Sequence, residues 1–175
     1  GRARHAQSHD SQCDDTQNSL HETLLEQGSH KIIDMRECHV LAPQMVAMIG
    51  PLRTLLEGWG DRKLGVDVEL AMSDQGLSVG LKGLKVEGLK RTEALLDFSR
   101  ENGLARLTID SGYGPEGTWE PEPVTVTLGG TAVSLPPGAF LQATADGEAA
   151  LVSSAKEWLA GSATVADLFA GLGTF

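Results

Sequence analysis

The sequence predicts an α/β chain of the α+β kind: a hairpin-rich mixed domain over residues 1–137, then the opening of a doubly wound α/β domain over 138–175. Three observations predict it. Residues 41–59 place Leu41, Met45, Met48, Ile49, Leu52, Leu55, Leu56 and Trp59 on one helical stripe. Residues 66–70 and 77–81 alternate apolar and polar on either side of Ser73-Asp74-Gln75-Gly76, the pattern of a β-hairpin. Residues 164–169 form a short apolar run, broken only by Asp167, that meets Gly171-Leu172-Gly173. A buried strand feeding a glycine turn is how nucleotide-binding α/β domains bring bare backbone against a ligand, because glycine has no Cβ and tolerates positive φ. The helix and strands that complete such a site would follow Phe175, so the chain reads as a fragment.

Each element has its own justification. Residues 2–7 and 20–26 read as strands joined by the polar, Asp- and Ser-rich stretch 8–18, and residues 31–35 as a further extended piece. In the 41–59 helical region, Gly50-Pro51 is expected to split or kink the helix, since proline lacks a backbone donor. Residues 91–102 form a second helix through Ala94, Leu95, Leu96 and Phe98, stopped at Gly103. Residues 104–110 are the next strand, and a glycine-rich loop with Gly112, Gly114, Pro115 and Gly117 follows. Residues 124–128 and 132–135 flank Gly129-Gly130 as a second hairpin. Beyond Pro136-Pro137-Gly138 comes a helix over 145–159 with Thr144 as N-cap, and then the terminal strand.

Bulk properties narrow the function classes. The 175 residues are 41% hydrophobic and 22% charged, an ordinary globular composition able to bury a core. No apolar stretch reaches the roughly 18–20 residues of a membrane span, and no signal peptide is visible. Two cysteines, Cys13 and Cys38, are too few for a disulfide framework, so a cytoplasmic location is expected. The net charge of −10 argues against a free-standing nucleic-acid binder. Residues 82–106 do hold six basic side chains against four acidic ones, but a solvated face accounts for them.

Three segments in order resemble the RNA uracil-5 methyltransferase family, especially its bacterial 23S ribosomal-RNA members. They are Ser29-His-Lys-Ile-Ile-Asp-Met-Arg-Glu-Cys-His-Val-Leu-Ala-Pro43, Pro137-Gly-Ala-Phe-Leu-Gln142, and Asp167-Leu-Phe-Ala-Gly-Leu-Gly-Thr-Phe175. Their separations are family-like, and the resemblance covers essentially the whole chain. It implies a Rossmann-like S-adenosylmethionine-dependent methyltransferase domain beginning at residue 138. It also implies transfer of a methyl group to C5 of a uridine in RNA, with ribosomal RNA as partner and no membrane or protein partner. C5 of uracil is a poor nucleophile, so in the family a cysteine thiolate first adds at C6, and a carboxylate later removes the C5 proton. The family's nucleophile and base lie downstream of the first glycine motif, so this polypeptide by itself is expected to be inactive.

By the same resemblance, the cofactor-binding residues are Gln142, Asp167, Phe169, Gly171, Gly173 and Thr174. Thr174 stands where many members carry asparagine, which weakens its assignment. An aspartate interrupting an apolar strand favours a cofactor role, since a buried carboxylate needs a partner. The Gln142 amide both donates and accepts. Cys38 corresponds to the last of four cysteines that hold a 4Fe–4S cluster in many members, and a buried structural thiol is its competing role. Cys13 matches no family ligand. Two other function classes stand beside this one: a non-catalytic RNA-binding or scaffold module using the 82–106 face, and a different α/β nucleotide-binding enzyme.

Overall fold

A computed structural model of the chain describes residues 23–25, 32–34, 38, 40–59 and 65–174. The protein is a mixed α and β structure that divides into two compact units, residues 1–35 and 36–175. In the first, strands β1 (Thr23–Leu25) and β2 (Ile32–Asp34) pair antiparallel. The expected strand over 2–7 lies outside the described residues.

The second unit begins with helix α1 (Pro43–Glu57). Proline is tolerated at its first position, where a backbone N–H would have no intrahelical partner. The expected break at Gly50-Pro51 does not occur, and one helix runs through Pro51. Met48, Leu52 and Leu56, all buried, straddle the proline, and burying such side chains is worth about 1.5–3 kcal/mol each. That is enough to offset the donor Pro51 lacks. Thr54 Oγ1 additionally donates to the Gly50 carbonyl at 3.1 Å.

Strands β3 (Asp67–Ser73) and β4 (Gly76–Lys82) form the expected hairpin around Asp74 and Gln75. Helix α2 (Leu89–Glu101) then carries the chain to β5 (Arg106–Asp110), which lies parallel to β4. The glycine-rich loop after β5 is shorter than the sequence indicated. Strand β6 (Glu116–Trp119) returns antiparallel to β5, giving a four-stranded sheet of order β3-β4-β5-β6. Its four residues, two of them exposed, carry too little apolar alternation to be read as a strand.

Alternation along the strands gives the sheet two different faces. Val79 and Leu81 on β4 stand beside Leu107 and Ile109 on β5, and all four are buried. The opposite face presents Ser78 beside Arg106 and Gly80 beside Thr108. One face is core; the other is polar and small.

Strands β7 (Thr125–Leu128) and β8 (Thr131–Ser134) make a separate hairpin. Gly129 and Gly130 both have positive φ, 57° and 85°, as a two-residue turn of this hand requires. The hairpin is fastened to the sheet by the β3–β4 turn. Asp74 N–H donates to the Thr125 carbonyl, and the Asp74 carboxylate accepts from Thr127 N–H at 3.1 Å and from both threonine hydroxyls. Helix α3 (Ala145–Leu159) completes the unit, with Thr144 Oγ1 accepting from Gly147 N–H as its N-cap.

Candidate functional site

Arg106 organises the region from which a site is built. It is a charged residue only 5% exposed, and it needs partners there. Its Nε and Nη2 reach Glu120 at 3.0 and 3.2 Å, and Nη1 donates to the Leu135 carbonyl at 2.6 Å. The guanidinium beside Glu120 holds that carboxyl below its ordinary range. By gripping Leu135, Arg106 fixes where the chain leaves β8 and enters the segment 136–144.

That segment forms one wall of a cleft of about 850 Å3. The polar sheet face supplies its floor through Ser78, Gly80 and Thr108. The approach to α1, with Leu41 and Met45, supplies an apolar side. Gln142, half-buried, lines this cleft together with the largely exposed Phe140. Glu69 and Glu148 line it too, so the cleft is acidic rather than basic.

The glycine turn lies elsewhere on the unit's surface. None of Asp167, Phe169, Gly171, Gly173 and Thr174 lines the cleft. The apolar run 164–169 is not a strand, contrary to the sequence expectation. Among the described residues no strand is hydrogen-bonded to it, and backbone polar groups without a sheet partner turn to solvent. Val165, Leu168 and Phe169 are exposed at 53%, 79% and 102%. Asp167 is exposed as well, so the expected buried carboxylate is not found.

The turn itself is nevertheless ordered by its chain geometry. Gly173 N–H donates to the Ala170 carbonyl at 2.8 Å. Phe169, Gly171 and Gly173 have φ of 64°, 58° and 77°. Left-handed backbone is costly for phenylalanine, and such strain concentrates at functional turns. Leu172 anchors the turn by packing on the buried trio Ala105, Val124 and Leu135, which also carries Leu141. Gln142 and the glycine turn therefore hang from one small apolar cluster by their neighbours Leu141 and Leu172. At Gly171 and Gly173 the backbone lies open, with no atom closer than 4.0 Å to where a Cβ would stand.

Among the described residues Cys38 is a half-buried free thiol, and no group of three or more His, Cys, Asp or Glu gathers to hold a metal. A four-thiolate cluster has one visible ligand at most. Of the six basic residues over 82–106, Lys82, Lys85 and Lys90 are exposed and the three arginines are engaged within the chain. Arg91 lies over the Trp59 ring at 5.1 Å and donates to its carbonyl, Arg100 pairs with Asp97, and the buried Arg106 pairs with Glu120. The sequence did not single out Ser78, Gly80, Thr108, Glu69 or Glu120. The lone arginine in the 104–110 run and the glycine inside β4 were the signals available.

No protein-family model matches the chain. It is 46% identical over 147 residues to an uncharacterized RNA methyltransferase of Zymomonas mobilis, covering 84% of this chain and 37% of that protein. It is 33% identical over 149 residues to the 23S rRNA (uracil(1939)-C(5))-methyltransferase RlmD of Tolumonas auensis, covering 84% and 34%. The chain belongs to the family of these RNA methyltransferases. It spans about a third of the length of the curated relatives it matches. An RNA methyltransferase of Rhizobium meliloti aligns over the same share, at 31% identity. No helix among the described residues is long and apolar enough to cross a membrane.

Proposed function

We propose that the protein carrying this sequence methylates C5 of a uridine in 23S ribosomal RNA, using S-adenosylmethionine. The observation that carries this reading is the alignment with a uracil-C5 methyltransferase over 84% of the chain. When bound, S-adenosylmethionine supplies the electrophilic methyl group. On this reading residues 138–175 are the N-terminal edge of a Rossmann-like catalytic domain, and residues 1–137 form a central domain that helps shape the RNA cleft.

In this arrangement Gln142 holds an amide at the cleft wall, where it donates and accepts toward cofactor and target base. The backbone of Asp167, Phe169, Gly171 and Gly173, with Thr174 beside it, begins the cofactor pocket. The 164–169 run becomes a strand when neighbouring strands of the catalytic domain receive its hydrogen bonds. The thiolate that adds to uracil C6 and the base that removes the C5 proton belong to the remaining length of the relatives. Cys38 does not line the cleft and is not assigned as nucleophile. The 175-residue chain alone is inactive on this reading.

The test is methyl transfer by the longer natural protein. Incubated with unmodified 23S rRNA and methyl-labelled cofactor, it places label on C5 of uridine, whereas the 175-residue chain places none. Label on another base or another atom overturns the assignment.

A further inference from the structure

We propose that the polar floor of the cleft receives one unstacked RNA base bearing an amino group, distinct from the uridine that is methylated. This rests on the reading that the partner is RNA. Ser78 is the observation that points to a ligand. It is 8% exposed, it lines the cleft, and its Oγ has no hydrogen-bond partner among the described residues. A buried hydroxyl without a partner is costly, so a site that keeps one has a use for it.

Gly80 adds a second observation. It sits inside β4 with no need for left-handed backbone, and glycine there weakens a strand. A Cβ at this position would come within 3.3 Å of Thr108 Oγ1 and 3.4 Å of Glu69 Cβ, closing the gap between them. Without it, bare backbone lies open between a hydroxyl and a carboxylate side chain, and Ser78 lies two residues along the same face. Leu41 and Met45 supply apolar surface at the side. The volume falls within the range of small-ligand clefts.

The charges select the ligand. Glu69 and Glu148 line the cleft, and the Arg106 guanidinium is committed to Glu120 and Leu135, so a phosphate is repelled. A flat, uncharged ring with an exocyclic amino group suits the floor: the amino group donates to Glu69, and Ser78 Oγ bonds a ring nitrogen or carbonyl. Adenine, cytosine and guanine have that group. Uracil does not, which separates this site from the one that holds the methylated base.

The experiment titrates the 175-residue chain with short oligoadenylate, oligouridylate and an abasic oligonucleotide, following the Ser78, Gly80 and Thr108 amides by NMR. Oligoadenylate is expected to shift all three and to bind about 10-fold more tightly than oligouridylate, the scale of one or two hydrogen bonds left unmade. Ser78→Ala and Glu69→Gln each weaken oligoadenylate binding about 5-fold or more, while Ser78→Ala does not lower the thermal midpoint, because it deletes an unpaired buried hydroxyl. The proposal is overturned if no oligonucleotide moves these amides, if the abasic one moves them equally, or if Ser78→Ala binds as the parent does. Those results leave the methyl-transfer reading standing, because that is scored by label on uridine.

Discussion

Arg106 Nη1 donates to the Leu135 carbonyl at 2.6 Å, and through that bond a buried strand residue sets the path of the chain into the cleft wall. The same guanidinium forks onto both oxygens of Glu120. Replacing it leaves the buried Leu135 carbonyl without its donor and removes both bonds to the more exposed Glu120 carboxylate. Arg106→Ala is expected to lower stability by about 2–3 kcal/mol. Arg106→Lys recovers only part of that, because an ammonium has no planar fork. Urea unfolding of the two variants checks both statements.

The Arg106–Glu120 pair also gives stability a pH dependence of definite sign. Glu120 is held below the ordinary glutamate range, chiefly by the hydrogen bond from Arg106. A carboxyl depressed in the folded state contributes stability that is fully present above the unfolded value. That contribution is lost as pH falls from there through the folded value. The Glu120→Gln variant should therefore show a shallower loss of stability on the acid side than the parent, with the difference confined to pH below about 5. Thermal midpoints measured from pH 7 downward test it, and parallel curves would remove Glu120 from the acid limb.

Asp74 is the clasp between the sheet and the β7–β8 hairpin. Its carboxylate accepts from Thr127 N–H and from the hydroxyls of Thr125 and Thr127, at 2.8 to 3.1 Å. These bonds are solvent-exposed, so Asp74→Ala should cost only about 1 kcal/mol globally. Its local effect is larger: the Thr125 and Thr127 amides exchange hydrogen markedly faster while those of β4 and β5 do not. Uniform acceleration across the sheet would show that Asp74 acts on the whole unit.

How much of this was legible in the sequence follows from what each element depends on. The β3–β4 and β7–β8 hairpins, α2 and the Thr144 cap rest on local chemistry, namely alternation, turn glycines and a hydroxyl at an N-cap, and all of them form. Pro51 does not divide the helix in two, because the stripe of Met48, Leu52 and Leu56 outweighs one missing donor. The β6 strand stayed hidden because it is held by pairing with β5, a distant partner that its own four residues do not announce. The run 164–169 fails in the opposite sense: it has the composition of a buried strand and no described partner to pair with. In the candidate site, the motif segment drew attention to Gln142, which lines the cleft. The floor at Ser78, Gly80 and Thr108 was not legible, since it exists only once β4 and β5 lie parallel in register.

The glycine turn supplies a prediction about binding in the longer protein. Gly171 and Gly173 have φ of 58° and 77°, where an alanine is strained by about 1 kcal/mol or more. Space does not forbid the substitution, since the nearest atom to a Cβ at Gly171 is 4.0 Å away and at Gly173 nothing lies within 4 Å. Gly171→Ala and Gly173→Ala should therefore leave the 175-residue chain folded. In the longer natural protein they should weaken S-adenosylmethionine binding, by calorimetry, about 10-fold or more if backbone approaches the cofactor closely. Unchanged affinity in both variants would exclude the turn from the pocket.

Helix α3 is the least supported element of the unit, and its behaviour can be stated in advance. Its 15 residues contain no buried side chain, and Leu151, Trp158 and Leu159 are exposed at 46%, 82% and 44%. Thr144 caps its first turn, with Asp146 and Glu148 favourably placed near the N-terminal dipole. Propensity and caps alone leave a helix of this length marginal in water, because most helical stability in proteins comes from packing an apolar face. Amides of 148–159 should thus exchange near the unprotected rate in the 175-residue chain, while those of β4 and α2 exchange only on global unfolding. If the proposed catalytic domain covers the face bearing Leu151 and Trp158, the same amides should gain protection in a protein that carries it, and Trp158 emission should shift to the blue. Strong protection of α3 in the short chain would mean that the helix is held by contacts other than those of a catalytic domain.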